Sequence, residues 1–169
     1  VGIIDLTKGE LGTRGTADTR RLEAARAAEI LGVSFRENLN FSDGFIMNDK
    51  THQLEIIKKI RQYRPEIVVC NAVDDRHTDH GKASKLVSDA CFLSGLEKIN
   101  TKDSSGKSQK PWRPKLVLEY IQWVDIEPHV VVDISSHLES KLKAVKAYTT
   151  QFFDPESKEA ETPISSKNF

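Results

Sequence analysis

Apolar residues gather in five short runs separated by longer amphipathic stretches. The runs are VGIIDLT (1–7), VSFRENL (33–39), EIVVCNA (66–72), KLVLEYI (115–121) and HVVVDIS (129–135). The first, third and fifth are rich in Val and Ile and almost continuously apolar, the pattern of parallel strands covered on both faces. The second is more polar and reads as an edge strand. Between the runs, apolar positions recur at helical spacing. TADTRRLEAARAAEILG (16–32) brings Leu22, Ala25, Ala28 and Ile30–Leu31 to one side and stops at Gly32. THQLEIIKKIRQYRP (51–65) repeats Leu54, Ile57 and Ile60 and ends at Pro65. Residues 79–94 carry an inner stripe of Ala83, Leu86, Val87, Ala90 and Cys91, with Thr78 as the cap. Residues 135–152 place Leu138, Leu142, Val145 and Tyr148 on one side, with Ser135 or Ser136 as the N-cap. Strands alternating with helices of this length predict an α/β fold, a Rossmann-like, doubly wound, mostly parallel sheet. The polar segment 100–114, with two prolines, reads as an exposed loop.

Length and composition narrow this picture. A chain of 169 residues predicts one domain with a core that needs no disulfide or metal staple. Lys and Arg (25) balance Asp and Glu (25), which argues against nucleic acid as the main partner. The two cysteines, Cys70 and Cys91, have no zinc-ligand spacing and read as reduced, buried thiols of a cytoplasmic protein. No apolar stretch approaches the length of a membrane span, and no signal peptide is visible, so no membrane partner is expected. The chain opens at Val1 already inside a strand and ends on SSKNF. It therefore reads as a partial domain, with a sheet incomplete at both ends.

In open α/β sheets, ligands bind beyond the carboxyl ends of the strands. KGELGTRGTADTR (8–20), FSDG (41–44) and DDRHTDHG (74–81) follow the first three predicted strands. The last holds two histidines and three aspartates. His77 falls at the helix entry and His80 in its first turn, a spacing that brings both imidazoles to one side. A neutral imidazole suits zinc or iron. A second, oriented by Asp79 or Asp75, suits an acid, a base or an oxyanion stabiliser. The competing reading is a solvated turn whose aspartates cap the helix. Because catalytic zinc takes three protein ligands, and His52, His129 and His137 lack ligand spacing, these residues alone leave a metal site incomplete. In the first loop, Gly12 and Gly15 permit close backbone approach, and Arg20 suits bidentate binding of an anionic or polar group. A glycine-rich turn with surface arginines reads equally well. Asp43, by itself, is ordinary turn chemistry. Trp112 and Trp123 read as packing or lid residues.

These same stretches resemble the LmbE-like (PIG-L) family of zinc-dependent N-acetylglucosamine deacetylases over nearly the whole chain. The resemblance runs through VGIIDLTKGELGTRGTADTRRLEA, NLNFSDG, RPEIVVCNAVDDRHTDHGKASKLV and VVVDISSHLESKLKAVKAYTTQF. It is nearest to the branch that deacetylates N-acetylglucosaminyl-malate in bacillithiol synthesis. HTDH stands where the family has His-Pro-Asp-His, with Thr78 at the proline. The resemblance implies that His80 is a zinc ligand and that His77 stabilises the oxyanion or protonates the leaving amine. It implies that Asp79 orients His77, that Arg20 grips the substrate and that Asp43 binds sugar hydroxyls. The family's His-Pro-Asp-Asp motif, source of two further ligands and the general base, is absent from this sequence and expected upstream of Val1.

The leading expectation is a metal-dependent hydrolase that removes acetyl from a small N-acetylglucosamine conjugate, acting as a homo-oligomer. A non-catalytic sugar- or nucleotide-binding module of the same fold is the rival. Deacetylation of another glycoconjugate, with identical chemistry, is the third reading.

Overall fold

The computed structural model describes residues 1–167; Asn168 and Phe169 lie outside the described residues. The chain forms two compact units. One comprises residues 1–43 together with the segment from Val130 onward, and the other runs from Gly44 to His129.

In the first unit, β1 (Gly2–Thr7) and β2 (Phe35–Phe41) pair in parallel, Gly2 opposite Phe35 and Asp5 opposite Asn38, with an irregularity between Asp5 and Thr7. Helix α1 (Ala17–Leu31) connects them, which is the crossover a parallel pair requires. Thr16 caps it through a reciprocal capping box with Thr19, and Gly32 ends it as the sequence predicts. A short 3₁₀ turn (Ser135–His137) leads into α4 (Leu138–Lys146). Arg36 crosses the strand pair to clasp Asp5 with two hydrogen bonds of 2.7 and 2.8 Å, and also donates to the Ala24 carbonyl on α1.

The faces that α1 and α4 bury differ from the predicted stripes. Leu22, Leu31, Leu138 and Leu142 are exposed, whereas Ala27, Ala144 and Ala147 pack together beside Tyr148. Small residues let the two helices approach closely, and the larger apolar positions fall outside that contact.

In the second unit, β3 (Ile67–Cys70) and β4 (Leu116–Glu119) form a second parallel pair, Ile67 opposite Leu116 and Cys70 opposite Glu119. Helix α2 (Lys50–Tyr63) is capped by Asp49 and ends at Arg64, just before the predicted stop at Pro65. Helix α3 (Thr78–Leu93) buries Ala83, Leu86, Val87, Ala90 and Cys91, the stripe read from the sequence. Arg61 is almost fully buried and donates to the carbonyls of Ser94, Leu96 and Ile99 and to the Thr101 hydroxyl. That arrangement fixes the turn after α3. Trp112 is a packing residue: its indole donates to the Pro65 carbonyl and Arg64 stacks on its ring.

Among the described residues the result is an α/β protein with parallel strands and four α-helices. Two element assignments also differ from the sequence reading. The run 129–135 is not a strand: among the described residues it has no ladder partner, and Val130, Val131 and Val132 are exposed. An apolar β-branched run without a neighbouring strand has nothing to pair with. The fourth helix is also shorter than 135–152, because its first turn is 3₁₀ and it ends at Lys146. Among the described residues, no helix is long and apolar enough to cross a membrane.

Candidate functional site in the histidine loop

DDRHTDHG runs from the loop after β3 into the first turn of α3, and hydrogen bonds to both backbone and side chains organise it. His77, not Thr78, is the N-cap of α3: its Nδ1 accepts from the Asp79 amide at 3.2 Å. An imidazole nitrogen facing a backbone N–H satisfies an orphan donor of the helix start as a serine oxygen would. The Asp79 carboxylate is buried and turned elsewhere, accepting from the amides of Gly44 (2.7 Å) and Ile46 (3.3 Å). Asp75 takes the place beside an imidazole. Its Oδ2 lies 2.6 Å from His80 Nδ1, and its side chain is only 2% exposed. Burial pushes the Asp75 carboxyl up, but the bonds from His80 and the Arg76 amide prevail and hold it below its ordinary value.

The two rings lie side by side, 5.1 Å between centroids and tilted by 30°. Their partners set opposite proton positions. The Asp79 amide can only donate, so His77 Nδ1 is an acceptor and the neutral ring carries its proton on Nε2. A carboxylate accepts, so the neutral form of His80 carries its proton on Nδ1 and leaves Nε2 as a lone pair. One ring therefore presents a metal-ligating lone pair and the other a hydrogen-bond donor. A carboxylate behind the distal nitrogen is the usual support of a ligating histidine. The donor set thus fits one zinc ligand with its supporting partner; among the described residues no group of three or more His, Cys, Asp or Glu is placed to hold a metal.

Gly81 sets how close this loop lies to the helix. A Cβ at Gly81 would stand 2.9 Å from the Val73 carbonyl oxygen. Beyond the loop, Arg76 stacks over the Trp123 ring at 4.8 Å, and the Tyr120 hydroxyl accepts from the Asn71 amide at 2.9 Å.

Arg20 and Asp43 belong to the first unit and meet on the loop after β1. Asp43 accepts from the Leu11 amide (3.1 Å) and the Thr7 hydroxyl (3.3 Å), and its own amide donates to Glu10. The Arg20 guanidinium lies against Gly9 and Gly12, where any side chain would collide with it; Gly9 also has a positive φ of 66°. Its Nη2 donates to Gln151 Oε1. Arg20 also lines an open cavity of about 790 Å³ with Thr7, Lys8, Gly9, Asp18 and Asn38. The sequence reading missed Gln151; it also gave Asp79, by resemblance, as the partner of His77, where the carboxylate bonds the Gly44 and Ile46 amides, and it did not anticipate the bond between Asp75 and His80. Only AYTTQF, the end of the fourth resembling stretch, pointed to Gln151.

Two parallel strand pairs and a carboxylate-supported imidazole in the first turn of α3 make this an α/β protein with a polar cluster at a strand-to-helix junction. The sequence matches the family model described as GlcNAc-PI de-N-acetylase (PIG-L) over residues 1–91, and the chain belongs to that family. Diacetylchitobiose deacetylase of Thermococcus kodakarensis is 31% identical over 154 residues, covering 89% of this chain and 56% of that protein. 4-Oxalmesaconate hydratase of Pseudomonas putida is 29% identical over 147 residues, covering 85% of this chain and 55% of that protein. Among solved structures, the conserved protein TT1542 from Thermus thermophilus superposes with a TM-score of 0.81 at 36% identity, covering 89% of this chain and 66% of that one. The chain thus spans little more than half the length of these two curated relatives.

Proposed function

We propose that this chain is part of a metal-dependent hydrolase that removes the N-acetyl group from an N-acetylglucosamine conjugate such as N-acetylglucosaminyl-malate. The observation that carries the reading is the pair of neighbouring imidazoles whose Nδ1 partners differ, a carboxylate at His80 and a backbone amide at His77. Family membership and the deacetylase relative support the same chemistry. His80 would hold a zinc ion, with Asp75 fixing its ring. When bound, such an ion supplies Lewis acidity toward the acetamide carbonyl and toward water. His77 Nε2–H donates a hydrogen bond to the oxygen that gains charge, and the proton the departing amine needs is the one the general base takes from the attacking water. Asp79, by bonding the Gly44 and Ile46 amides, steadies the helix start on which both imidazoles sit. Arg20 binds a carboxylate or hydroxyl of the conjugate, and Asp43 accepts from sugar hydroxyls. Two further metal ligands and a general base belong, in this reading, to a His-Pro-Asp-Asp stretch of the longer protein. The reading includes a single doubly wound domain, a cytoplasmic location and a homo-oligomeric assembly.

The test uses the complete protein. Metal is removed, zinc is restored, and amine release from N-acetylglucosaminyl-malate and N,N'-diacetylchitobiose is followed. Zinc-dependent release that His80→Ala abolishes is expected; its absence, or unchanged activity in His80→Ala, overturns the reading. The hydratase relative favours one alternative, addition of water across a carbon–carbon double bond at the same imidazole pair. Turnover of 4-oxalmesaconate without acetate release from either sugar would select it.

A further inference from the structure

The bonds around Gln151 form a chain whose direction is fixed at both ends. At one end the Glu23 carboxylate, 8% exposed, accepts from the Thr150 amide (2.7 Å), the Thr150 hydroxyl (3.0 Å) and the Thr149 hydroxyl (3.1 Å). Having donated to Glu23, the Thr150 hydroxyl accepts from Gln151 Nε2 at 2.8 Å. The same Nε2 donates to the Arg14 carbonyl at 2.9 Å. A carbonyl accepts only, so the Gln151 nitrogen must face Arg14 and its oxygen must face Arg20. At the other end the Arg20 guanidinium, which only donates, delivers a hydrogen to that oxygen. Gly9 and Gly12 lie against it, where a Cβ would collide, and the side chain also lines the open cavity. Arg20 Nε is buried and has no hydrogen-bond partner among the described residues, and no carboxylate there pairs with the guanidinium.

An arginine this constrained is most simply held by a carboxylate, as Arg36 is held by Asp5 in the same unit. Arg20 is held by a neutral amide instead. We propose that Gln151 is a positioning residue that orients Arg20 without cancelling its charge, so that the arginine meets an anionic group on the substrate. This rests on the reading that Arg20 contacts substrate, and extends it. It selects carboxylate-bearing conjugates over uncharged sugars, and makes the segment after α4 a determinant of that choice. A carboxylate at position 151 would compete with the substrate's own anion for the same guanidinium face.

The complete, metal-loaded protein carrying Gln151→Glu, Gln151→Ala, Arg20→Ala or Arg20→Ala with Gln151→Glu tests this. KM and kcat are measured for N-acetylglucosaminyl-malate and for uncharged N,N'-diacetylchitobiose, with thermal midpoints as the check on folding. Gln151→Glu is expected to raise KM for the malate conjugate about tenfold, leaving kcat and the KM of the neutral sugar nearly unchanged. Gln151→Ala shows the same pattern more weakly, and carries the test if Gln151→Glu does not fold. The double variant is no worse than Arg20→Ala alone. Equal KM changes for both sugars, or effects that add to those of Arg20→Ala, overturn the proposal. If Arg20→Ala raises KM and neither Gln151 variant does, Gln151 alone loses its role. If Arg20→Ala changes KM for neither sugar, the substrate role of Arg20 fails and the proposal fails with it. If neither sugar is turned over, the hydrolase reading fails separately, and calorimetric Kd values for the same two ligands replace KM in the same comparison.

Discussion

Asp75 Oδ2 and His80 Nδ1 lie 2.6 Å apart, joining the loop after β3 to the first turn of α3. The bond sets the ring's angle and tautomer together. Loss of such a carboxylate weakens metal affinity by about 10- to 100-fold. Asp75→Asn in the complete protein should therefore raise the zinc Kd within that range while far-UV circular dichroism stays unchanged. Zinc titration against a competing chelator measures it, and an unaltered Kd would show that Asp75 serves only the loop.

Gly81 is placed to be intolerant for a reason that polarity does not show. A Cβ at this position meets a backbone carbonyl, Val73 O, at 2.9 Å, and backbone yields less readily than a side chain. Gly81→Ala should push the loop from the helix and separate the two imidazoles from their productive placement. A fall in kcat/KM of about 100-fold is expected, since an ångström of misplacement has that effect on a reacting constellation. Steady-state kinetics beside a urea melt would separate this from simple destabilisation.

Arg61 holds three carbonyls and a hydroxyl with one buried guanidinium. Arg61→Leu removes the charge and leaves those acceptors unpaired. The expected loss is at least about 3 kcal/mol, read from urea unfolding of the complete protein. A loss below about 1 kcal/mol would mean that water reaches the turn and replaces the guanidinium.

Burial raises the thiol of Cys70 to about 11, with Glu119 adding to the effect, and raises that of Cys91 to about 12, with Cys70 adding to it. Both are free and buried. At pH 8 neither should react with a thiol reagent in the native protein, and both should react in urea; peptide mass mapping reads each site. The raised values also fix a sign. Below the ordinary thiol value of 9.0 both states keep the protons. Above it the unfolded chain ionises first, so this contribution to stability is lost as the pH climbs toward the native values. A denaturant series at alkaline pH would show midpoints falling there.

Much of the fold can be read along the chain because it depends on local periodicity. α3 shows this best, since its buried face is a continuous stripe of Ala, Leu, Val and Cys on a helix with a polar exterior. The faces of α1 and α4 could not be read that way. Their contact runs through alanines, which carry little hydrophobic signal, and leaves leucines outside. The run at 129–135 has the composition of a strand, but a strand exists only with a neighbour to bond to. In the candidate site, the i, i+3 spacing of His77 and His80 was enough to place their rings together. Which aspartate served which ring depended on the direction of single hydrogen bonds, and no spacing encodes that. Gln151 lies 131 positions from Arg20, beyond the reach of any local pattern.

The division of the chain also bears on the order in which it folds. The unit from Gly44 to His129 is continuous, whereas the other draws on residues 1–43 and on the stretch from Val130 onward. During synthesis the first is complete once its own residues have left the ribosome. β1, α1 and β2 emerge earlier, yet Ala27 waits for Ala144, Glu23 for Thr150, and Arg20 for Gln151. Contacts so distant in sequence form late. The arginine proposed to read the substrate is thus made well before the glutamine that sets it in place.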